Sequence, residues 1–594
     1  MIEKKRLAFY TLWDKNGNVK DYVVYYLKKM LCIADYVVVI VNGNLSDSGE
    51  QRLRELGVDF VVRENKGFDF SAWKYAIEYK GWNFVLNFNE LILCNCSCYG
   101  PIFSFNDVFC IMEKRCCDFW GLYRHPKIIN TFREHLQSYF LVINNNLLHS
   151  KSFKNYWLNI YEALNWKQAV KQETEFTYYF ENLGFSSSSY IENFKYSSLL
   201  ENPTVCLAHK LLEDEHFPLV KRKVFSENYR YFIDLTFVSH AREILKYLKY
   251  RTKYPINYIY SDILDTMQEH NIRSILHDTY ILDDEKATIS HVACPKCKIA
   301  LIVYSYFEDM IDDDLKYILS MPNNSYIFIV VVSEKIKYIW EKKRVFLSNY
   351  GFEIRVQKNR GRNESAYWIT CRDVVNNFDL ICVVHDKKTP AAYPAIKGYN
   401  FNIHCWENLL KSKYYVSEVI SLFYTEPRLG LLMPPTPYFS DWRRCIVNME
   451  WGNNLKIGKE LYNRLHLHVP FDEAPDAPWG AMFWFRAKAM LPLYRYNWTV
   501  EDFPKEPVPS DGTILHALER MYPMIAQEAG FFSAWILPLS NAGIFIDNMA
   551  QCIKEREYSS ILKSCNLGFK ILHFLKKNIK LSIKSIINLF NYKQ

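Results

Sequence analysis

Long apolar runs are missing from this 594-residue chain. No stretch reaches the roughly 18 continuous apolar residues that cross a bilayer. The opening Met1-Ile2-Glu3-Lys4-Lys5-Arg6 leads into a short strand-like run and not into a secretory leader. Together these absences place the expected protein on the cytosolic side. Acidic residues are absent after Glu557, while Lys563, Lys570, Lys576, Lys577, Lys580, Lys584 and Lys593 follow it. The formal charge of +8, from 73 basic and 65 acidic residues, is therefore almost wholly a property of the tail. A nucleic-acid protein spreads its cations over a binding face, so no nucleic-acid partner is expected. A second CxxC pair is also missing. Cys294-Pro295-Lys296-Cys297 stands alone, and a structural zinc site needs four ligands. In a reducing compartment the 16 cysteines stay as thiols, and Cys94, Cys96 and Cys98 would share one face of a strand.

What remains is the profile of a large globular protein, 49% hydrophobic and 23% charged, which excludes disorder, collagen and small disulfide scaffolds. Leu7 to Leu12 is a short apolar run, Val19 to Leu31 has helical spacing, and Tyr36 to Val41 reads as a buried parallel strand. A second helix closes at Gly57 and a third strand covers Val58 to Val62. This βαβαβ order opens a doubly wound, Rossmann-like sheet. It begins again near residue 298, with strands over Ile299 to Tyr304 and Tyr326 to Val332, a helix ending at Gly351, and a strand over Phe352 to Val356. Gly57, Asn65 and Gly67 recur as Gly351, Asn359 and Gly361, each 294 residues on, and Leu91 to Cys94 and Leu380 to Val384 read as the matching fourth strands. The expected fold class is α/β, with two tandem related domains at 1–200 and 296–550. A helical connector covers 201–295, and 551–594 forms a basic amphipathic tail.

Open α/β sheets bind ligands beyond the carboxyl ends of their strands. Candidates there are Asn65, Gly67, Asp69, Asn95 and Ser97 in the first copy, and Asn359, Gly361, His385, Asp386 and Lys387 in the second.

Arg63 to Lys74 (RENKGFDFSAWK), Leu91 to Pro101 (LILCNCSCYGP), Asp118 to Gly121 (DFWG), His135 to Phe140 (HLQSYF), His385 to Lys387 (HDK), Gly480 to Arg486 (GAMFWFR), Glu501 to Glu506 (EDFPKE) and Asp511 to Arg520 (DGTILHALER) stand in this order. Through them the chain resembles, over residues 5 to 545, the rhamnan synthesis protein F family. The resemblance implies an inverting rhamnosyltransferase of bacterial polysaccharide, lipopolysaccharide or cell-wall assembly, built from GT-A-like nucleotide-sugar-binding domains. It further implies a donor such as dTDP-rhamnose, a lipid-linked glycan acceptor and other assembly enzymes as partners. Asp386 would hold Mg2+ or Mn2+ against the donor diphosphate, with His385, Lys387 and Arg486 beside it. Cys96 stands where the family usually carries an acid. The resemblance offers Asp502 as the base that takes the acceptor proton, with Glu501 beside it and Glu173 as the first-copy counterpart. Trp484, Glu506, Asp511 and His516 are the acceptor candidates. A second reading is a non-catalytic glycan-binding or scaffold subunit.

The tail places Phe569, Leu572, Leu575, Ile579, Ile583, Ile586 and Phe590 at near-helical spacing with lysines between them. Such a helix lies on an anionic membrane surface, which predicts a peripheral protein on the inner face of the cell membrane.

Overall fold

Strands form where β-branched and aromatic residues run together, and the run YVVVIVN, Tyr36–Asn42, is buried from its second residue onward. The computed structural model describes residues 4–127, 133–192, 202–226, 240–285, 297–388, 394–440, 442 and 451–556. The chain divides into two compact units, Met1–His277 and Asp278–Gln594.

The first unit contains β1 (Arg6–Leu12), β2 (Tyr36–Asn42), β3 (Asp59–Arg63), β4 (Glu90–Asn95), β5 (Cys98–Tyr99), β6 (Phe119–His125), β7 (His135–Leu136), β8 (Phe140–Ile143), β9 (Ser187–Ile191) and β10 (Val220–Lys221). Its main sheet runs β3-β2-β1-β4-β8-β6-β7, with β9 on β6. The second unit contains β11 (Thr279–Leu282), β12 (Ile299–Ser305), β13 (Tyr326–Val331), β14 (Gly351–Val356), β15 (Leu380–His385), β16 (Leu429–Met433), β17 (Phe483–Arg486) and β18 (Phe532–Pro538). Its order is β11-β18-β16-β17-β15-β12-β13-β14.

The two sheets repeat one topology. In each, the first strand lies between the second and the fourth, and both of these ladders are parallel, as is the one between the second and third strands. The fourth strand then meets an antiparallel neighbour, β8 or β17, and the sheet continues through an antiparallel strand, β6 or β16, to a parallel one, β9 or β18. The fold is thus α/β with two mixed sheets. Helices cover them with large apolar side chains such as Trp73, Trp157, Trp368 and Trp406, none more than 1% exposed. Each such burial contributes about 1.5–3 kcal/mol.

The helices of the segment read as a connector, from Pro203–Cys206 through Glu269–Leu276, fall within the first unit. Gly57 closes its helix in the left-handed region, φ 69°. Gly351 does not close a helix. The helix before it is Glu334–Lys343, followed by a 3-10 turn, and Gly351 instead opens β14. The reason for glycine there is the Tyr326 ring, which a Cβ would meet at 2.2 Å. Cys94 and Cys98 fall on β4 and β5 with Cys96 in the turn between, so the three do not share one strand face. Cys294 to Lys296, and the tail from residue 557, lie outside the described residues.

Candidate functional site

The carboxyl ends of β12, β14 and β15 border a cavity of about 580 Å³. A turn with unusual backbone sets part of its rim. Asn359 and Gly361 follow β14, and Gly361 (φ 81°) and Arg362 (φ 48°) are both left-handed. The same pair occurs 294 residues earlier, at Gly67 (φ 71°) and Phe68 (φ 55°). A Cβ on Gly361 would meet the Phe503 ring at 2.8 Å, so glycine is required for both conformation and space.

At the end of β15, the backbone N–H of Asp386 donates to the Tyr304 carbonyl at 3.3 Å. Its Oδ2 accepts the N–H groups of Tyr306 and Phe307, each at 2.7 Å. Its Oδ1 is buried with no partner. Burial pushes this carboxyl up to about 7, against the pull of the two N–H groups. His385 contacts the Asp386 carbonyl through Nδ1 at 2.8 Å and the Gly480 carbonyl through Nε2 at 2.7 Å. Burial, helped by Lys387, lowers it to about 4, so at neutral pH its single N–H serves one of these carbonyls. The Lys387 ammonium lies 4.7 Å from the Phe401 ring centre, and Lys388 pairs with Asp309.

Across the cavity, Arg362 binds both oxygens of Glu506. That pairing raises the guanidinium and holds the carboxyl below its usual range. Glu364, 1% exposed, accepts the Trp368 indole N–H at 3.0 Å and the Tyr522 hydroxyl on the same oxygen. Burial raises it to about 8, which keeps it neutral at pH 7 and able to donate. The helix Ile514–Glu528 contributes His516 and Glu519. Glu519 accepts the Gly480 N–H and faces Arg520 at 3.3 Å. His516 Nδ1 is 2.8 Å from Thr513 Oγ1, and burial lowers its pKa. In the tautomer whose Nδ1–H donates to Thr513, the neutral ring leaves Nε2 as an acceptor.

Of the residues expected from sequence, Asn359, His385, Asp386, Lys387, Glu506 and His516 line this cavity, and Gly361 shapes its rim. Asp502 does not line it. Its Oδ2 accepts the N–H and hydroxyl of Thr499 at 2.9 and 3.0 Å, closing a capping box, and its Oδ1 meets the Tyr496 hydroxyl at 3.2 Å. Glu501 is exposed and its carbonyl accepts Arg360. Arg486 is spent on the carbonyls of Phe423 and Leu429, Trp484 is fully buried with its N–H on Leu409, and Asp511 accepts Asn454 at 2.6 Å. Arg362 and Glu364 carry more of the site than their sequence signal suggested. They follow the repeated glycine directly, and that position was the available signal.

In the first unit Cys96 takes the place of Asp386, since its N–H donates to Thr11 as that of Asp386 does to Tyr304. Asn95 bridges Asp69, at 2.7 Å, and Ser97. Glu173 accepts the N–H and hydroxyl of Ser138 at 2.6 and 2.9 Å. Asn65 and Gly67 line a separate cleft of about 300 Å³ with Phe68 and Leu164.

The described residues contain no cluster of three or more His, Cys, Asp or Glu side chains suited to a metal ion. The orphaned Oδ1 of Asp386 is nevertheless a hard oxygen donor at the strand ends, which fits a divalent cation completed by ligand phosphates.

Two kinds of relative resemble the chain. Uncharacterized protein WxcX of Xanthomonas campestris pv. campestris is 23% identical over 239 residues, 39% of this chain and 31% of that protein. The match thus spans under a third of that relative's length. Among solved structures, the mannosyltransferase PcManGT of Pyrobaculum calidifontis, in complex with GDP-Man and Mn2+, aligns over 48% of this chain and 61% of its own at 9% identity and a TM-score of 0.24. The glycosyltransferase GlyE of Streptococcus pneumoniae aligns over 71% of this chain and 99% of its own at 11% identity and a TM-score of 0.22. The profile described as rhamnan synthesis protein F matches residues 37–531, most of the chain, and this protein belongs to that family.

Proposed function

We propose that the protein is an inverting glycosyltransferase of bacterial polysaccharide synthesis whose active site is the cavity of the second unit. The observation that carries this reading is the unpartnered Oδ1 of Asp386 at the carboxyl ends of β12 and β15, in a cavity also lined by Arg362, Lys387 and Lys388. A nucleoside diphosphate sugar, dTDP-rhamnose by family, is the donor, and a lipid-linked glycan is the acceptor. Asp386 would hold Mg2+ or Mn2+, which when bound would offset charge growing on the departing diphosphate. The lysines and Arg362 supply charge-assisted donors to the phosphates.

In the reaction the acceptor hydroxyl oxygen bonds to the anomeric carbon as the bond from that carbon to the phosphate oxygen breaks. The bonding pair leaves with the diphosphate, and the hydroxyl proton passes to Nε2 of His516. Among the titratable groups of the cavity, Glu506 and Glu519 are engaged by Arg362, Gly480 and Arg520, and Glu364 is already protonated. His516 is neutral with a free nitrogen, which suits a general base.

The basic tail places the enzyme on the anionic cytoplasmic face of the membrane, where other assembly enzymes and the lipid-linked acceptor meet it. No helix among the described residues is long and apolar enough to cross a membrane. Incubation with dTDP-rhamnose, Mn2+ and membrane-derived acceptor tests the reading. Release of dTDP with growth of the glycan supports it, whereas glycan binding without dTDP release favours the scaffold reading.

A further inference from the structure

In the first unit the carboxyl ends of β4 and β6 gather side chains that the transfer reaction in the second unit does not use. The Cys94↔Phe140 and His125↔His135 pairs bring the start of β8 and all of β7 to this edge. The antiparallel pair of β10 with β5 adds Lys221, opposite Cys98. Glu173 lies at the centre. Its Oε1 accepts Ser138, and its charge acts on Asp69, His135, Tyr139 and Lys221.

The cluster has open valences. Lys221 is enclosed yet keeps some solvent contact, and its ammonium sits 4.7 Å from the Tyr139 ring centre. It makes no ion pair or side-chain hydrogen bond with the described residues, and burial lowers its pKa despite Glu173. The Tyr139 hydroxyl is buried without a partner. Asp69, pushed by burial to about 6, uses Oδ2 on Asn95. His135 uses Nδ1 on the Arg133 carbonyl at 2.7 Å and is held neutral by burial.

Charge decides what fits. The cluster holds two carboxyl groups, Asp69 and Glu173, against one ammonium, on which Glu173 acts, while the neighbouring Arg222 is bound to Asp262 at 2.8 and 3.1 Å and Lys223 is exposed. A diphosphate would enter a cluster already without net positive charge, and Cys96 supplies no carboxylate for a bridging cation. Hydroxyl groups, which both donate and accept, match free carboxylate oxygens, an ammonium, an imidazole and the unpartnered Tyr139 hydroxyl together. We infer that this strand-end cluster of the first unit, built on Asp69, His135, Tyr139, Glu173 and Lys221, is a binding site for neutral sugar residues of a glycan chain and not a second nucleotide-sugar site. It adds acceptor binding to the proposed transfer without depending on it, since it is read by binding alone.

The experiment uses the full-length protein, with trirhamnoside and maltotriose as sugar probes and dTDP as the nucleotide probe, by calorimetry and ligand-observed NMR. Glu173→Gln and Lys221→Met are each expected to weaken binding of the preferred trisaccharide at least tenfold and to leave dTDP affinity within twofold. Asp386→Asn should leave trisaccharide binding intact, so a failed transfer assay would not touch this inference. Thermal melts monitor folding, and Tyr139→Phe, which removes one hydroxyl only, provides a milder variant with a smaller loss expected. Trisaccharide affinity unchanged in all three folded variants, no trisaccharide binding by the wild type, or loss of dTDP in place of the sugar would each overturn it.

Discussion

Arg362 holds Glu506 with a two-point grip, Nε to Oε1 at 2.8 Å and Nη2 to Oε2 at 3.1 Å, across 144 residues of chain. The pair ties the turn after β14 to the loop before the helix Ile514–Glu528. The arginine side chain is 42% exposed, so the pair itself contributes under about 1 kcal/mol to stability. Its value lies in geometry, because a lysine cannot reproduce the fork. Arg362→Lys should leave the melting temperature within ~2 °C and raise KM for dTDP-rhamnose about tenfold. An unchanged KM would remove Arg362 from the donor site.

Asp386→Asn keeps an oxygen for the Tyr306 and Phe307 N–H groups but loses the charge that would hold a cation. Transfer is expected to fall by roughly 10²-fold or more, and the response of rate to added Mn2+ should flatten. Because the buried carboxylate is costly when ionised, the variant should melt no lower than wild type at pH 8. Metal titration of dTDP release checks both.

His516 and Asp502 separate two assignments of the base. His516→Gln should cost about 10²-fold in kcat, whereas Asp502→Ala should cost about 1 kcal/mol of stability through the lost cap and leave kcat within several-fold. Burial lowers the His516 pKa below 6.5, and the base must be neutral to act. The acid limb of kcat at saturating Mn2+ and donor, where the cation keeps Asp386 charged, is therefore expected below pH 6.5, with a plateau above. Reversal of the two mutants' effects would return the role to Asp502.

Glu364 is raised from 4.5 to about 8 in the folded protein. The folded state therefore binds its proton more tightly than the unfolded state does, and stability is lost as pH rises from about 4.5 to about 8. Glu364→Gln removes that loss. The melting temperature of the variant relative to wild type should rise across this window, with its largest advantage above pH 8, and differential scanning calorimetry at pH 5 and 8.5 measures it. An equal difference at both pH values would mean that folding does not shift the Glu364 pKa.

Deleting residues 560–594 should abolish most pelleting with vesicles containing anionic lipid, while wild-type pelleting weakens as salt rises. Equal sedimentation of the two proteins would reject the tail as the membrane contact.

Element order and repeat were legible in the sequence because they rest on local physics. Apolar runs as in Tyr36–Asn42 have no stable choice but a covered strand, and a 294-residue offset of Asn65 and Gly67 to Asn359 and Gly361 survives because a left-handed turn needs glycine. Asp386 was legible for the same reason, as the polar residue at a buried strand's carboxyl end. Gly351 shows the limit of this reading. It resembled a helix-closing glycine like Gly57, yet it is required by the ring of Tyr326, a neighbour across the sheet. Asp502, chosen by motif, is turned into a cap by Thr499. Glu364 gains its neutral form only through burial in the folded core, against the hydrogen bonds of Trp368 and of Tyr522, 158 residues away, which favour its charge. Backbone preferences act over a few residues and can be read along the chain, whereas the burial and pairing that decide a carboxyl group's charge and reach depend on contacts between distant residues that exist only once the sheet has formed.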